Sequence, residues 1–157
     1  MKQSKDIFYV GIQIVLFGLF IFIPEFQLSF VKNASFLGLF IMVFGGIVCA
    51  VSILQLNKNL SPFPSPKANS NLITTGLYSI IRHPIYLGIL FLLGGYALFR
   101  FDLYKIIVVI ALYILFYFKS SYEEGLLEAK FSDYKNYKKK TGKIFPRIIG
   151  LWNIDKE

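Results

Sequence analysis

The chain has 157 residues, 55% of them hydrophobic and 17% charged, too apolar a balance for an ordinary water-soluble domain and one that excludes disordered, collagen-like and coiled-coil chains. The length suits one domain, and Cys49, the single cysteine, excludes an internal disulfide framework and reads as a structural thiol in an apolar run. Seventeen Lys and Arg against nine Asp and Glu leave a net charge of +8, which suits nucleic acid or an anionic membrane surface until the charges are placed along the chain.

Residues 7–24 and 34–56 hold no charged residue over 18 and 23 positions. At ~1.5 Å per residue each run can span ~30 Å of hydrocarbon, which predicts two transmembrane helices. The basic start at Lys2 and Lys5 resembles a signal peptide, but Pro24-Glu25-Phe26-Gln27 contains no small-x-small cleavage site, so a retained helix is expected. Residues 85–99 and 106–118 are shorter apolar runs of 15 and 13 residues, separated by Arg100, Asp102 and Lys105. They read as helices three and four, crossing with extended ends and a snorkelling Lys105, or packed as a tilted hairpin. The predicted class is thus an all-α polytopic membrane protein with four transmembrane helices, the last two forming a short hairpin, and a cytoplasmic C-terminal amphipathic helix.

Two basic residues at the amino terminus, three in 57–82 and nine from 119 onward make 14 of the 17; the opposite loops carry Lys32, Arg100 and Lys105. The positive-inside rule then puts both termini in the cytoplasm, in the plasma membrane if the source is bacterial. The net charge becomes a topology signal plus a basic tail facing anionic lipid, and no nucleic-acid partner is needed to explain it.

The connection over residues 57–83 is long for a bundle loop, which suggests function. Its Ser61-Pro62-Phe63-Pro64-Ser65-Pro66 favours extended polyproline geometry, and Gly76 permits a turn that folds the strip back against the membrane face. In Arg82-His83-Pro84 the proline biases His83 away from helical geometry and suits the first position of helix three, so a sharp bend is expected. The free amides of that helix start, with Arg82 and His83, make a polar, partly positive corner, whose plainest role is interfacial anchoring.

Beyond residue 118, helical spacing puts Lys119, Glu123, Leu127 and Tyr134 on one face. The plain alternative is an amphipathic interfacial helix with Lys119 and Glu123 as a solvent-side ion pair. The run Lys138-Lys139-Lys140, with Lys143 and Arg147, reads as contact with lipid headgroups.

Taken together, Leu72-Ile73-Thr74-Thr75-Gly76-Leu77-Tyr78, Arg82-His83-Pro84-Ile85-Tyr86-Leu87-Gly88, and Glu123-Glu124 with Leu127, Phe131, Tyr134, Tyr137 and Pro146 resemble the isoprenylcysteine carboxyl methyltransferase family. Membrane phospholipid methyltransferases are its more distant relatives. The resemblance covers residues 60–146, in the family's motif order. It implies one membrane methyltransferase domain over residues 1–157, with two helices in 1–56 and a catalytic core in 57–157. It further implies methyl transfer from S-adenosyl-L-methionine to a lipophilic acceptor arriving from the bilayer. Carried over by position, Leu72, Ile73, Tyr78, His83, Pro84, Ile85 and Tyr86 line the cofactor site and Glu123 touches the cofactor. Lys119 stands where the family generally has an arginine that binds the acceptor's carboxylate; lysine keeps the charge without the planar two-pronged geometry.

The residue chemistry is compatible with this. Tyr78 and Tyr86 offer aromatic surface to adenine or sulfonium, Glu123 accepts from an ammonium or a ribose hydroxyl, and the amides near Pro84 donate to a carboxylate. A carboxylate acceptor is already ionised and needs no base, whereas an amine must first lose a proton, for which Glu124 or His83 are candidates. One His and one Cys are too few for a metal site, and no dinucleotide fingerprint is present: Gly45-Gly46 sits inside an apolar run and reads as a helix-packing device.

Three alternatives stand beside O-methylation: N-methylation of a phospholipid or other amine on the same fold, a non-catalytic membrane subunit, and a small four-helix transporter. The transporter lacks the mid-membrane acid that proton coupling needs, since no Asp or Glu lies in residues 7–24 or 34–56.

Overall fold

A computed structural model describes residues 4–26 and 35–147. Lys2, Lys32 and Lys156, which entered the charge count, lie outside them. Five α-helices follow one another among the described residues: α1 Ser4–Phe22, α2 Ser35–Leu56, α3 Pro84–Arg100, α4 Leu103–Lys130 and α5 Tyr134–Lys140. Short 3-10 turns occupy Asn57–Asn59 and Gly76–Ser79. This is the all-α polytopic membrane fold that the apolar runs predict.

α1, α2 and α4 are each long and apolar enough to cross a bilayer; α3, at 17 residues, is shorter. The lipid-facing character shows in the side chains left outside the packing, such as Phe22, Phe36, Phe40 and Leu54, all more than two-thirds exposed. The 28 residues of α4 rise ~42 Å against ~30 Å of hydrocarbon, so its end projects past the apolar core. The amphipathic stretch expected after residue 118 is therefore not a separate helix but the last turns of α4. Leu, Glu, Ala and Lys there are good helix formers and no proline intervenes, so the helix propagates until Phe131 turns extended (φ −119°, ψ 115°).

α2 and α3 lie against each other through glycines. A methyl group built on Gly95 would sit 2.2 Å from the backbone nitrogen of Met42, one on Gly45 2.3 Å from that of Leu92, and one on Gly88 2.6 Å from that of Cys49. In a bilayer, where apolar burial between helices gains little, such close backbone approach is what holds two helices together. The packing role read for Gly45 is met; Gly46 meets only a leucine methyl at ordinary distance. α1 and α3 pack on α4 around Phe20, Leu87, Leu90, Ala97, Val108, Leu112 and Phe116.

α3 and α4 form the expected hairpin. Phe101 turns left-handed (φ 51°), and Asp102 caps α4 by accepting from the amides of Tyr104 (3.1 Å) and Lys105 (3.3 Å). Lys105 does not snorkel: its ammonium is buried and lies 3.0 Å from Asp102, because the cap carboxylate supplies inside the protein the anion that headgroups would supply outside. Arg100 pairs with Glu25 at 2.7 Å beside it.

Candidate functional site

The strip between α2 and α3 is bent by its own residues and then clasped from outside. Gly76 adopts φ 61°, where Gln55 accepts from the Leu77 amide at 3.0 Å, so the chain folds back over the end of α2 as its glycine predicts. Tyr78 then reaches down to donate to the Ser52 carbonyl at 3.4 Å. At the next corner His83 takes φ −123°, ψ 60°, outside the helical region, and Pro84 opens α3. The segment after α5 straps this corner: the amides of Arg82 and His83 donate to the carbonyls of Gly142 (2.9 Å) and Lys143 (3.0 Å), and Gly142 donates back to Ile80 (3.0 Å).

The projecting end of α4 brings its carboxylates to the same corner. Arg82 Nε donates to Glu124 Oε1 at 2.7 Å, and the same oxygen lies 3.3 Å from His83 Nε2. Lys138 of α5 approaches the other Glu124 oxygen at 3.4 Å, so this buried carboxylate is fully occupied. The Arg82 guanidinium also donates to the carbonyls of Lys138 and Thr141, tying α5 into the corner. Glu123, one residue earlier, points elsewhere: it accepts from the Tyr86 hydroxyl at 2.9 Å and lies 3.8 Å from His83 Nδ1. The Tyr86 ring is fixed from two sides, stacked on His83 (5.3 Å between centroids) and on Phe116 (4.5 Å).

These elements enclose a cavity of about 310 Å³. Its walls are Leu72, Ile73 and Tyr78 of the strip, Arg82 and His83 of the corner, Ile85, Tyr86 and Ile89 of α3, Lys119, Glu123 and Leu127 of α4, and Phe131, Tyr134 and Tyr137 beyond it. Gln13 of α1 and residues 59–67 complete it. Lys119 is buried and aims its ammonium at Gln13 Oε1 (2.6 Å) and the Pro62 carbonyl (2.9 Å), 5.5 Å from the centre of the Tyr86 ring. It forms no solvent-side ion pair with Glu123.

Burial, reinforced by the Glu123 carboxylate, raises Tyr78 well above the usual phenol range. Burial likewise raises Tyr134, and pushes Tyr137 up to about 12. All three phenols thus stay neutral at physiological pH, and Tyr137 donates to the Tyr78 carbonyl at 2.6 Å. On the outer side Lys138 is raised, chiefly through its hydrogen bond to Glu128 at 2.7 Å. The cavity therefore combines aromatic surface, one half-buried carboxylate and the cations Lys67, Arg82 and Lys119, which suits a ligand with a flat apolar part and groups of both charges.

Residues 33–134 match the model of the family described as phospholipid methyltransferase. The chain belongs to that family. A likeness of fold to a solved eukaryotic intramembrane Ras methyltransferase, an isoprenylcysteine carboxyl methyltransferase, accompanies it, with a TM-score of 0.68 at 22% identity. That alignment covers 94% of this chain and 55% of the solved one, so this phospholipid methyltransferase family member spans about half the length of that relative. No curated protein matches the chain.

In this family member, eight of the residues marked from sequence, Leu72, Ile73, Tyr78, His83, Ile85, Tyr86, Lys119 and Glu123, stand on the wall of one cavity. Two do not. Pro84 is buried as the first residue of α3, and Glu124 turns away into the Arg82, His83 and Lys138 cluster. Arg82, Pro62 and Phe63 line the wall without having been marked as site residues, and so does Gln13. Gln13 did carry a signal: it is the one amide in the apolar run 7–24. No cluster of His, Cys, Asp and Glu able to hold a metal occurs among the described residues.

Proposed function

We propose that this integral membrane methyltransferase uses S-adenosyl-L-methionine from the cytoplasm to methylate the carboxylate of a lipophilic acceptor that arrives from the bilayer, as one catalytic unit with both termini cytoplasmic. The observation that carries the reading is that Tyr78, His83, Tyr86, Glu123 and Lys119 line one cavity at the projecting end of α4. When bound, the cofactor would supply a methyl group on a sulfonium, whose S–CH₃ electron pair would stay on sulfur as the acceptor oxygen gained the methyl. The aromatic walls and Glu123 fit the adenine and the cationic groups of that molecule, and Arg82 and the phenols suit its oxygens.

The protein's part is alignment and exclusion of water rather than proton transfer. Tyr86, held between His83 and Phe116 and anchored on Glu123, has no freedom to swing, so the part of the cavity wall it forms is rigid and a ligand against its edge is placed accurately. Lys119 supplies the positive charge toward which an acceptor carboxylate would turn. No base is required, which agrees with Glu124 being consumed by its ion pairs.

Membership of a family described by phospholipid methylation favours a second reading, N-methylation of an amine headgroup. Here His83, on the cavity wall, would take the proton. The test is incubation of the purified protein with methyl-labelled S-adenosyl-L-methionine and total membrane lipid. Label released by mild base as methanol marks an ester and supports the first reading; base-stable label marks N-methylation; no labelled lipid at all counts against both.

A further inference from the structure

α1 sends one polar side chain to the cavity wall, Gln13, and its amide oxygen accepts from the buried Lys119 ammonium. We propose that Gln13 is a specificity residue for the acceptor, its side-chain amide and the Lys119 ammonium together forming an oxyanion site for a lipophilic carboxylate. The inference rests on the methyltransferase reading above and adds a residue outside the matched segment 33–134.

Lys119 is 1% exposed, yet the two groups it donates to, Gln13 Oε1 and the Pro62 carbonyl, are both neutral. No carboxylate among the described residues pairs with it directly; Glu123 and Asp6 act on it only from longer range. Burying a charge against neutral partners alone is costly, and the cost falls when an anion arrives. An ammonium has three N–H groups, so one remains to be given.

The same contact fixes the orientation of Gln13. Lysine is a donor only, so the amide must turn its oxygen to Nζ, which leaves both Nε2 hydrogens without a partner among the described residues. Three N–H donors, one of Lys119 and two of Gln13, are therefore left over on two neighbouring side chains of the cavity wall, with the ammonium 5.5 Å from the centre of the Tyr86 ring. Such a set matches a carboxylate, which accepts at both oxygens, and repels a protonated amine. Gln13 is the one residue of α1 among those lining the wall, so a change there leaves the residues read as cofactor ligands on the strip, α3 and α4 unaltered.

The test uses the full chain in phosphatidylcholine nanodiscs, with a photoactivatable analogue of oleate as probe and S-adenosylhomocysteine affinity as control. Labelling of the parent should be competed by oleate and not by methyl oleate. Gln13→Leu and Gln13→Glu should each lose labelling by about tenfold or more while S-adenosylhomocysteine affinity stays within about twofold. Gln13→Glu is the sharper variant, because it keeps a partner for Lys119, preserving the fold, while filling the site with a carboxylate of its own. Equal labelling of parent and variants, equal competition by methyl oleate, or loss of S-adenosylhomocysteine affinity along with labelling would each overturn the proposal. Competition by phosphatidylglycerol as strong as by oleate would overturn the carboxylate assignment in favour of a phosphodiester. A parent that does not bind S-adenosylhomocysteine would fail at the underlying reading instead.

Discussion

The Tyr86 hydroxyl donates to the Glu123 carboxylate at 2.9 Å, joining the first turn of α3 to the projecting end of α4 across 37 residues of chain. Through this bond the bend at His83 and the acidic end of α4 are parts of one wall. Tyr86→Phe keeps the stacking on His83 and Phe116 and removes only the hydrogen bond. S-adenosylhomocysteine affinity, measured by calorimetry in detergent, should fall by about tenfold, the worth of a hydrogen bond to a charged group of ~1.5 kcal/mol. An unchanged affinity would show that Glu123 is held by other means.

Glu124 holds the corner together and does not line the cavity. Its carboxylate is 4% exposed and meets Arg82, His83 and Lys138. Glu124→Ala leaves the Arg82 guanidinium buried without its counter-ion, an effect of about 3–5 kcal/mol for a buried pair. A thermal melt in detergent should show a large loss of stability, with the remaining folded fraction keeping its methylation pH profile. A normal melting temperature with an altered pH profile would instead make Glu124 an acid or base.

The backbone contact of α2 and α3 can be tested by adding single methyl groups. Gly95→Ala forces a carbon against the Met42 backbone and should lower stability by about 1–3 kcal/mol, as overpacking does. Gly125→Ala on α4 meets nothing within 4 Å and should raise it by up to about 1 kcal/mol through helix propensity. Opposite signs in the two melts are the expected outcome.

Much of this architecture can be read along the chain, and the unread part has a common cause. The apolar runs mark α1 and α2, Pro84 marks the start of α3, and Gly76 marks the turn back over the membrane face, because each is a local property of a few adjacent residues. Helical spacing beyond residue 118 is legible, but that it continues α4 without a break is not, since the apolar pattern stops at Lys119 while helix propensity continues. Contacts between distant residues are hidden altogether: Gln13 with Lys119 spans 106 positions, and Arg82 with Glu124 spans 42. For the same reason Glu123 and Glu124 look equivalent in the sequence and differ in space, one on the cavity wall and the other in the corner cluster.

Tyr137 gives a pH dependence of defined sign. Its phenol, ordinarily at 10.0, is pushed up to about 12 by burial, so the folded form holds the proton more tightly than the unfolded chain. The associated stability is fully present below pH ~10 and is lost as the pH rises through about 12. Docking of α5 against Tyr78, followed by near-ultraviolet dichroism, should persist to about pH 10 and fade above it. Tyr137→Phe should be less sensitive across that window and less stable at neutral pH by about 1 kcal/mol, having lost the bond to the Tyr78 carbonyl.

The most direct measurement is the binding of S-adenosylhomocysteine to the purified parent, His83→Ala and Glu123→Ala in detergent. Saturable binding by the parent, weakened by about tenfold or more in both variants, is the expected result. A parent that does not bind, or two variants that bind as tightly as it does, would contradict the assignment of this cavity to the methyl donor.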